Sequence, residues 1–325
     1  MLFDGNLRDR CEPWPSWNRR TSLGIPREEP LQPNDNRPGV SIDSVIFATD
    51  FSGCSENAGC YARQLARYHS AVLIVTHAFY SSQAAMEAEA TSKSMSRERE
   101  QLFTRLSSVA DGLRMEGLSV RPVLLEGNTE ARIADLADKH APCLLVLGTE
   151  GRGRMNREFI GAASEKILRS TRWPCLVVGP HVPKASPHAV PFQRILYATD
   201  FTPEAAHASI YAISFAGESG AHIDILNVMP RKIIRFPKRL AELEKHFYRE
   251  LDRLVPERAR EFCNPHSFVD VGNAHRRIQE HIKEHKIDLL VIGVRKSSHL
   301  DIEVRTSDAF QLVVDSPCPV LTIRS

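Results

Sequence analysis

The second half of this 325-residue chain repeats the first. RILYATDF at 194 to 201 echoes VIFATDF at 45 to 51, Gly272-Asn273 echoes Gly127-Asn128, and LLVIG at 289 to 293 echoes LLVLG at 144 to 148. The last two pairs share one offset of 145 residues, and SPCPVLTI at 316 to 323 answers WPCLVVG at 173 to 179. Agreement at a fixed distance marks an internal duplication. The chain therefore has to build one fold twice, and each copy is long enough to bury a core of its own.

Within the first copy, short apolar runs alternate with amphipathic stretches. VIFAT is a buried strand that stops at Asp50. Ser52 to Tyr68 carries Ala58, Ala62, Leu65 and Ala66 at helical spacing. AVLIVTHAF is a second strand, and the polar stretch from Gln83 to Glu116 is mostly helix, with Leu102, Leu106, Val109 and Leu113 as its buried stripe. A strand at Leu118 to Leu125, a turn at Gly127-Asn128, a helix from Thr129 to His140, a strand at Cys143 to Leu147, a helix from Gly161 to Thr171 and a strand at Cys175 to Val178 complete the unit. Strands that alternate with helices pair in parallel through right-handed crossovers. The predicted fold class is α/β, two tandem open sandwiches each built on a five-stranded parallel sheet.

Boundaries follow from breaks in the pattern. Residues 1–42 are read as a disordered leader, since residues 1 to 40 hold six of the twenty prolines with little periodicity. Residues 43–180 form the first domain and 192–325 the second. HVPKASPHAVP, residues 181–191, has three prolines and no period, and is read as the linker.

Composition removes several classes of function. A formal charge of +2 is too small to argue for a nucleic-acid or membrane partner. The apolar runs are strand-length, far short of the ~18 residues that mark a membrane span. The N-terminus has no apolar core of the secretory kind, so a cytoplasmic location is expected. Seven cysteines form an odd set without a C-x-x-C pair, which is neither a disulfide framework nor a zinc-site pattern; Cys143, Cys175 and Cys318 are expected in buried strands.

Chemistry is most legible from Leu144 to Lys166. The fourth strand ends at Gly148, and a polar loop with Gly151 runs to Gly161, where a helix opens. Such a loop turns sharply and brings backbone N–H groups close to an anion, and the helix N-terminus adds unpaired N–H groups and the positive end of its dipole. No Gly-Lys-Ser/Thr follows, so the loop is not the common P-loop; the dinucleotide fingerprint belongs on the first strand. Phosphate is the expected guest, and a turn without ligand is the plain alternative.

The spacing of Gly148, Gly151 and Gly161, the Ser164-Glu165 that follows, and the strand ending Ala48-Thr49-Asp50-Phe51-Ser52 resemble the universal stress protein family, over residues 43 to 180 and again over 192 to 325. The resemblance implies a fold of the adenine-nucleotide alpha-hydrolase-like type, with ATP, with or without Mg, in the late glycine loop and the Asp after the first strand on the nucleotide. Carried over residue by residue, the implied cofactor-binding positions are Asp50, Ala78, Gly148, Gly151, Gly161, Ala162, Ala163 and Ser164. Where the family has Gly-Ser or Gly-Thr, this chain has Gly161-Ala162; Ser164, Arg152 and Arg154 are candidates to replace the missing donor. In the second copy Lys296 is placed at Gly151, Val304 at Gly161 and Arg305 at Ala162, so that domain is read as structural, Asp200 notwithstanding. The implied function is regulatory: ATP or a related adenine nucleotide binds in the first domain and an unknown protein partner reads its presence. Relatives with a single domain pair through the fifth strand, which implies domain pairing within this chain, with a homodimer left open. The alternatives are a scaffold that binds no nucleotide, or an enzyme that hydrolyses ATP or transfers an adenylyl group.

No catalytic residue is assigned. Ser164 has no histidine and acid that can be paired with it, and capping or anion contact suits it better. His281 and His285 share one helix face but lack a third ligand in the sequence, and read as solvated surface. The ten Lys or Arg between Arg231 and Arg260 stand among five acids, which is again a solvated face.

Overall fold

A computed structural model describes residues 39–79, 89–149, 161–186, 189–235, 237–294 and 308–324; the proline-rich leader up to residue 38 and both candidate loops, 150–160 and 295–307, lie outside the described residues. The first domain runs β1 (Ser44–Ala48), α1 (Gly53–Tyr68), β2 (Val72–Phe79), α2 (Glu89–Met115), β3 (Val120–Glu126), α3 (Thr129–Lys139), β4 (Cys143–Gly148), α4 (Ala162–Ser170) and β5 (Cys175–Val178). The second repeats it as β6 (Arg194–Ala198), α5 (Pro203–Ser219), β7 (His222–Pro230), α6 (Pro237–Leu254), β8 (Asn264–Gly272), α7 (Ala274–His285), β9 (Leu289–Val294), α8 (Asp308–Asp315) and β10 (Val320–Arg324), with short 3-10 turns at Arg231–Arg235 and Glu257–Glu261.

The ten strands form one sheet in the order β3-β2-β1-β4-β5-β10-β9-β6-β7-β8. Every neighbouring pair is parallel except β5 with β10, where Val177, Leu176 and Cys175 meet Val320, Leu321 and Thr322 in antiparallel register. β5 is CLVV and buried throughout, so an open edge there would expose apolar side chains and unpaired backbone groups. The second domain covers that edge. Because the junction is antiparallel, the strands of the two domains run in opposite directions.

Side chains alternate between two continuous cores. Val45, Phe47, Leu144 and Val146 pack with Ala58, Ala62 and Leu65 of α1 and Leu106 and Ala110 of α2. Ile46, Ile74, Leu145 and Leu147 face Ile133 and Leu136 of α3 and Ile167 and Leu168 of α4. Both cores continue through the second domain, so α1 and α5 lie on one face of the sheet, and α3 and α7 on the other.

Three expectations change. On α2, Val109 is exposed and Ala110 takes its place in the stripe, while Leu102 and Leu113 are half-buried. Cys143 and Cys175 are in buried strands, but Cys318 is buried ahead of β10 rather than in it. Burial, with a smaller push from Asp138 on Cys143 and from Asp288 on Cys318, raises both thiols to about 12, as suits core packing. The third change is one of register: Leu145 pairs with Cys175 and Leu290 with Val320, so the 145-residue offset persists to the last strand and Cys318 matches Trp173, not Cys175. Counted in sequence with that offset, Thr306 and Ser307 fall opposite Gly161 and Ala162, in place of Val304 and Arg305; all four residues of the second copy lie outside the described residues.

The linker is laid over α1 by side chains of that helix. Asn57 donates to the carbonyls of Val182 (3.3 Å) and Pro183 (3.2 Å) and accepts from the Ala185 amide (2.9 Å). Gln64 donates to the Ser186 carbonyl (2.7 Å) and accepts from the Val190 amide (3.2 Å). Nearby, His69 at the end of α1 meets the second domain, its ring edge-on to Phe215 at 5.8 Å. Glu218 lies 3.7 Å from His69 Nδ1, beyond hydrogen-bond reach, and its carboxylate already accepts from Ser214 (3.0 Å). Its attraction does not offset the cost of burying an imidazolium, and the His69 pKa falls to about 4. The unfolded chain then binds the proton that the folded one refuses. Stability from this group is complete above the ordinary histidine pKa and is lost as pH falls from there toward 4, by up to about 3 kcal/mol. Denaturant unfolding of the wild type and His69→Phe between pH 7.5 and 4.5 checks this: the wild type loses stability faster on acidification, and parallel profiles would refute it.

Candidate functional site

Strand order places the site. β1 is followed by a crossover to β2 on one side, whereas β4, on its other side, is followed by a crossover to β5, so the chain departs in opposite directions at the carboxyl ends of β1 and β4. Ala48 aligns with Leu147, so Asp50 and Thr149 each lie two residues beyond that pair on adjoining strands. Asp50 thus reaches the crevice from one side. Gly148, Thr149 and the start of α4 reach it from the other.

Asp50 turns out to shape the backbone here. Its Oδ1 accepts from the Ser52 amide (3.0 Å) and the Ser52 hydroxyl (2.6 Å), and Ser52 in turn caps α1 by accepting from the Ser55 amide. The same turn recurs in the second domain, where Asp200 Oδ1 accepts from the Thr202 amide (3.1 Å) and hydroxyl (2.6 Å), and Thr202 caps α5. The aspartate does not cap the helix itself; it holds the residue that does. Between aspartate and cap, Phe51 and Phe201 both hold the left-handed backbone at φ 61°, a conformation that costs a residue with a side chain roughly 1–2 kcal/mol. The turn directs the Phe51 ring onto His77 (4.7 Å) and under the guanidinium of Arg105 (4.2 Å). His77 Nδ1 also lies 2.7 Å from the Thr49 carbonyl oxygen. His77 and Arg105 were not singled out in the sequence, and Phe51 only as part of the motif that ends the first strand, because β1, β2 and α2 meet only in the fold.

Gly148 has a structural reason to be glycine. A Cβ there would lie 3.2 Å from the Ser55 amide nitrogen and 3.3 Å from the Cys54 carbonyl carbon, against the first turn of α1. At Gly293 the approach is closer, 2.5 Å from the Ala205 amide nitrogen and the Glu204 carbonyl carbon. This glycine is kept in both copies because helix and strand touch at backbone level.

α4 differs from the helices around it. Ser52, Asn128, Thr202 and Asn273 each cap their helices with a side-chain oxygen, whereas Gly161, the N-cap of α4, offers no side chain. Ala162 and Ala163 are exposed at this end, and Gly161 is held by its amide on the Thr149 carbonyl (2.5 Å). The Ser164 hydroxyl donates to the Gly148 carbonyl (2.7 Å), so its proton ties α4 to β4 instead of replacing the donor missing at Ala162. Thr149 is fully buried with its hydroxyl unpartnered among the described residues. A buried hydroxyl without a partner is costly, and it stands beside the amino end of a helix without a side-chain cap. Ala78 is half-buried at the end of β2, opposite Leu125 and one strand out from β1. Gly151, Arg152 and Arg154 lie outside the described residues, as do Lys296, Val304 and Arg305 of the second copy.

A model of the family described as "Universal stress protein family" matches residues 41–179 and again 191–324. The chain belongs to the universal stress protein family. A universal stress protein of Methanocaldococcus jannaschii is 24% identical over 139 residues, covering 41% of this chain and 80% of that protein. One from Thermus aquaticus is 27% identical over 140 residues, covering 42% of this chain and 97% of that protein. Each of these relatives spans one copy. The crystal structure of a universal stress protein from Archaeoglobus fulgidus spans both: at 17% identity it covers 88% of this chain and 99% of its own, with a TM-score of 0.66, which establishes the shared fold. This is a tandem universal stress protein, and its two domains pair within the chain. Among the described residues no helix is long and apolar enough to cross a membrane.

The two glycines make a measurable contrast. Gly293→Ala forces α5 away from β9 and is expected to cost at least about 2 kcal/mol, while Gly148→Ala asks for a few tenths of an ångström and costs about half as much. Urea unfolding of both variants tests the order, and equal losses would refute the packing argument.

Proposed function

We propose that this tandem universal stress protein binds an adenine nucleotide, ATP by preference, in its first domain, and that the second domain acts as its structural mate. The observation that carries the reading is the amino end of α4: among the five α-helices whose N-caps are described, it alone has no side-chain cap, and the buried Thr149 hydroxyl, without a partner among the described residues, lies beside it. Backbone N–H groups at such an end favour a phosphate group. The amides of Ala162 and Ala163 would hold the phosphates, with Gly148, Gly151 and Gly161 allowing close approach, Thr149 serving as a polar contact, and Asp50 bounding the sugar side. Ala78 would flank the base. Ser164 serves by fixing α4 to Gly148.

The second domain keeps the aspartate turn and the first glycine of its loop, but Lys296 and Thr306 stand at the two later glycine positions. Its pocket is accordingly not assigned a nucleotide. The function that follows is regulatory, with nucleotide occupancy read by a protein partner. A scaffold without nucleotide is the reading that would replace it.

Ala162→Pro provides a selective test, because proline is tolerated at the first helical position and the extended backbone of Gly161 (ψ 141°) accommodates a following proline. The substitution deletes one N–H and leaves the helix. Calorimetric titration with Mg-ATP is expected to find one site per chain, weakened roughly ten- to a hundredfold in Ala162→Pro and unchanged in Lys296→Ala. No binding by the wild type at millimolar ATP would replace the proposal with the scaffold, and loss in Lys296→Ala alone would move the site to the second domain.

A further inference from the structure

The two domains differ at one place in their buried layers where the fold itself asks for no difference. In the first domain Ile74 of β2, paired with Ile46 of β1, packs on the α3 side of the sheet with Ile133 and Leu136. The matching position in β7, paired with Leu196 of β6, is Asp224, and the matching position on α7 is His281. Both are buried. An aliphatic pair has become a carboxylate and an imidazole, and burying such groups is unfavourable unless something holds them.

His281 Nε2 lies 2.8 Å from Asp224 Oδ2, and His285 Nδ1, one turn further along α7, lies 2.8 Å from the same oxygen. The two rings stack at 3.9 Å with 15° between their planes, and the Phe268 ring sits edge-on to them at 4.7 and 5.0 Å, fixing their orientation from β8. One histidine would suffice to hold a buried carboxylate. Here two nitrogens and one oxygen converge, all within 4.8 Å of one another. The expectation that these histidines are solvated surface is thereby corrected: His281 is buried, and the third group comes from a strand distant in sequence.

We propose that Asp224, His281 and His285 form a binding site for a divalent transition metal of the zinc class. Two imidazoles and a carboxylate are the ligand types that zinc takes at about 2.0–2.2 Å, which places ligand atoms roughly 3.3–3.5 Å apart, so on binding the carboxylate withdraws by roughly 0.5 Å and the two stacked rings turn until both nitrogen lone pairs point at the ion. The ion takes the place of the protons between oxygen and nitrogens, and is reached past His285, whose side chain is 33% exposed against 9% for His281 and 10% for Asp224. Three protein ligands leave a fourth position for water. The site sits at the amino edge of the second domain's sheet, on the α7 face, and does not depend on the nucleotide reading.

Full-length protein stripped with chelator is titrated with zinc chloride by calorimetry, and with cobalt chloride followed by visible absorption. The result expected is one zinc ion per chain, a rise in melting temperature with zinc, and a cobalt spectrum without thiolate charge transfer. The double variant Asp224→Ile/His281→Leu, which restores the first domain's pair, and the milder His285→Ala each weaken zinc by more than about a hundredfold, beyond the ten- to hundredfold that loss of a merely supporting partner costs. His140→Ala, the counterpart of His285 in the domain that has Ile74, leaves affinity unchanged. The proposal is overturned by zinc binding no tighter than millimolar, by equal affinity in His285→Ala and wild type, or by a thiolate band assigning the metal to Cys54 or Cys60.

Discussion

The pairing of β5 with β10 is the contact on which the rest of the molecule depends. Each domain alone ends in a short strand, buried along nearly its whole length, whose backbone groups need a partner. Joined antiparallel, the two edges satisfy each other, and Thr322 adds a side-chain bond to the Cys175 carbonyl at 3.2 Å. Gly179, just beyond β5, lets the end of α8 settle on the first domain, because a Cβ there would lie 2.9 Å from the Val313 carbonyl oxygen. The junction also merges two small cores into two long ones, one on each face. A family whose domains can stand one to a chain has here been given its partner by covalent linkage, with Asn57 and Gln64 holding the connecting segment on α1.

A duplicated chain contains its own control. Features kept in both copies are those the fold requires: the aspartate turn with its left-handed phenylalanine, the serine or threonine cap, the asparagine that opens α3 and α7, and the glycine where strand meets helix. Asp50 therefore counts for less as a ligand than its place in the sequence implied, since Asp200 makes the same bonds beside a loop that has lost two glycines. Features present in one copy only carry more functional weight. Ala162 and the glycines at 151 and 161 are of that kind in the first domain, and the Asp224, His281 and His285 trio is in the second.

Periodicity made the strands and helices legible, because both faces of the sheet are covered and the apolar runs are unbroken. Failures came where contact partners lie far apart in the chain. The SPC and WPC echo drew attention to matching cysteines, yet sheet register obeys the backbone, and the pairing of Leu290 with Val320 moves the match by two residues. That shift also exchanges Val304 and Arg305 for Thr306 and Ser307 in the comparison of the two loops. His281 reads as a surface residue beside His285, Glu280 and Glu284, and only the fold brings up Asp224, 57 positions earlier. Asp224 alternates with Ile223 and Ile225, as in a strand with one wet face; it is buried because α7 covers that face. Ser164 was legible as a polar residue near the loop, but not that its proton is spent on Gly148.

Antiparallel joining has a last geometric consequence. The carboxyl edge of the first domain and the amino edge of the second lie along the same rim of the sheet, so the crevice at β1 and β4 and the trio on β7 and α7 share that rim. Five strand spacings separate β4 from β7, about 24 Å, and the accumulated twist turns one end relative to the other by roughly 100°. No single partner side chain spans that distance, and at ordinary salt it exceeds the range over which exposed charges feel one another. An ion on β7 and an anion beside β4 would therefore act on each other only through the strands between them. Those strands, β5, β10, β9 and β6, are deeply packed, with Cys175, Val177, Val320, Leu289 and Ile195 fully buried. A close-packed layer resists small displacements instead of passing them on. The architecture thus favours two independent sites in one rigid body over a relay between them.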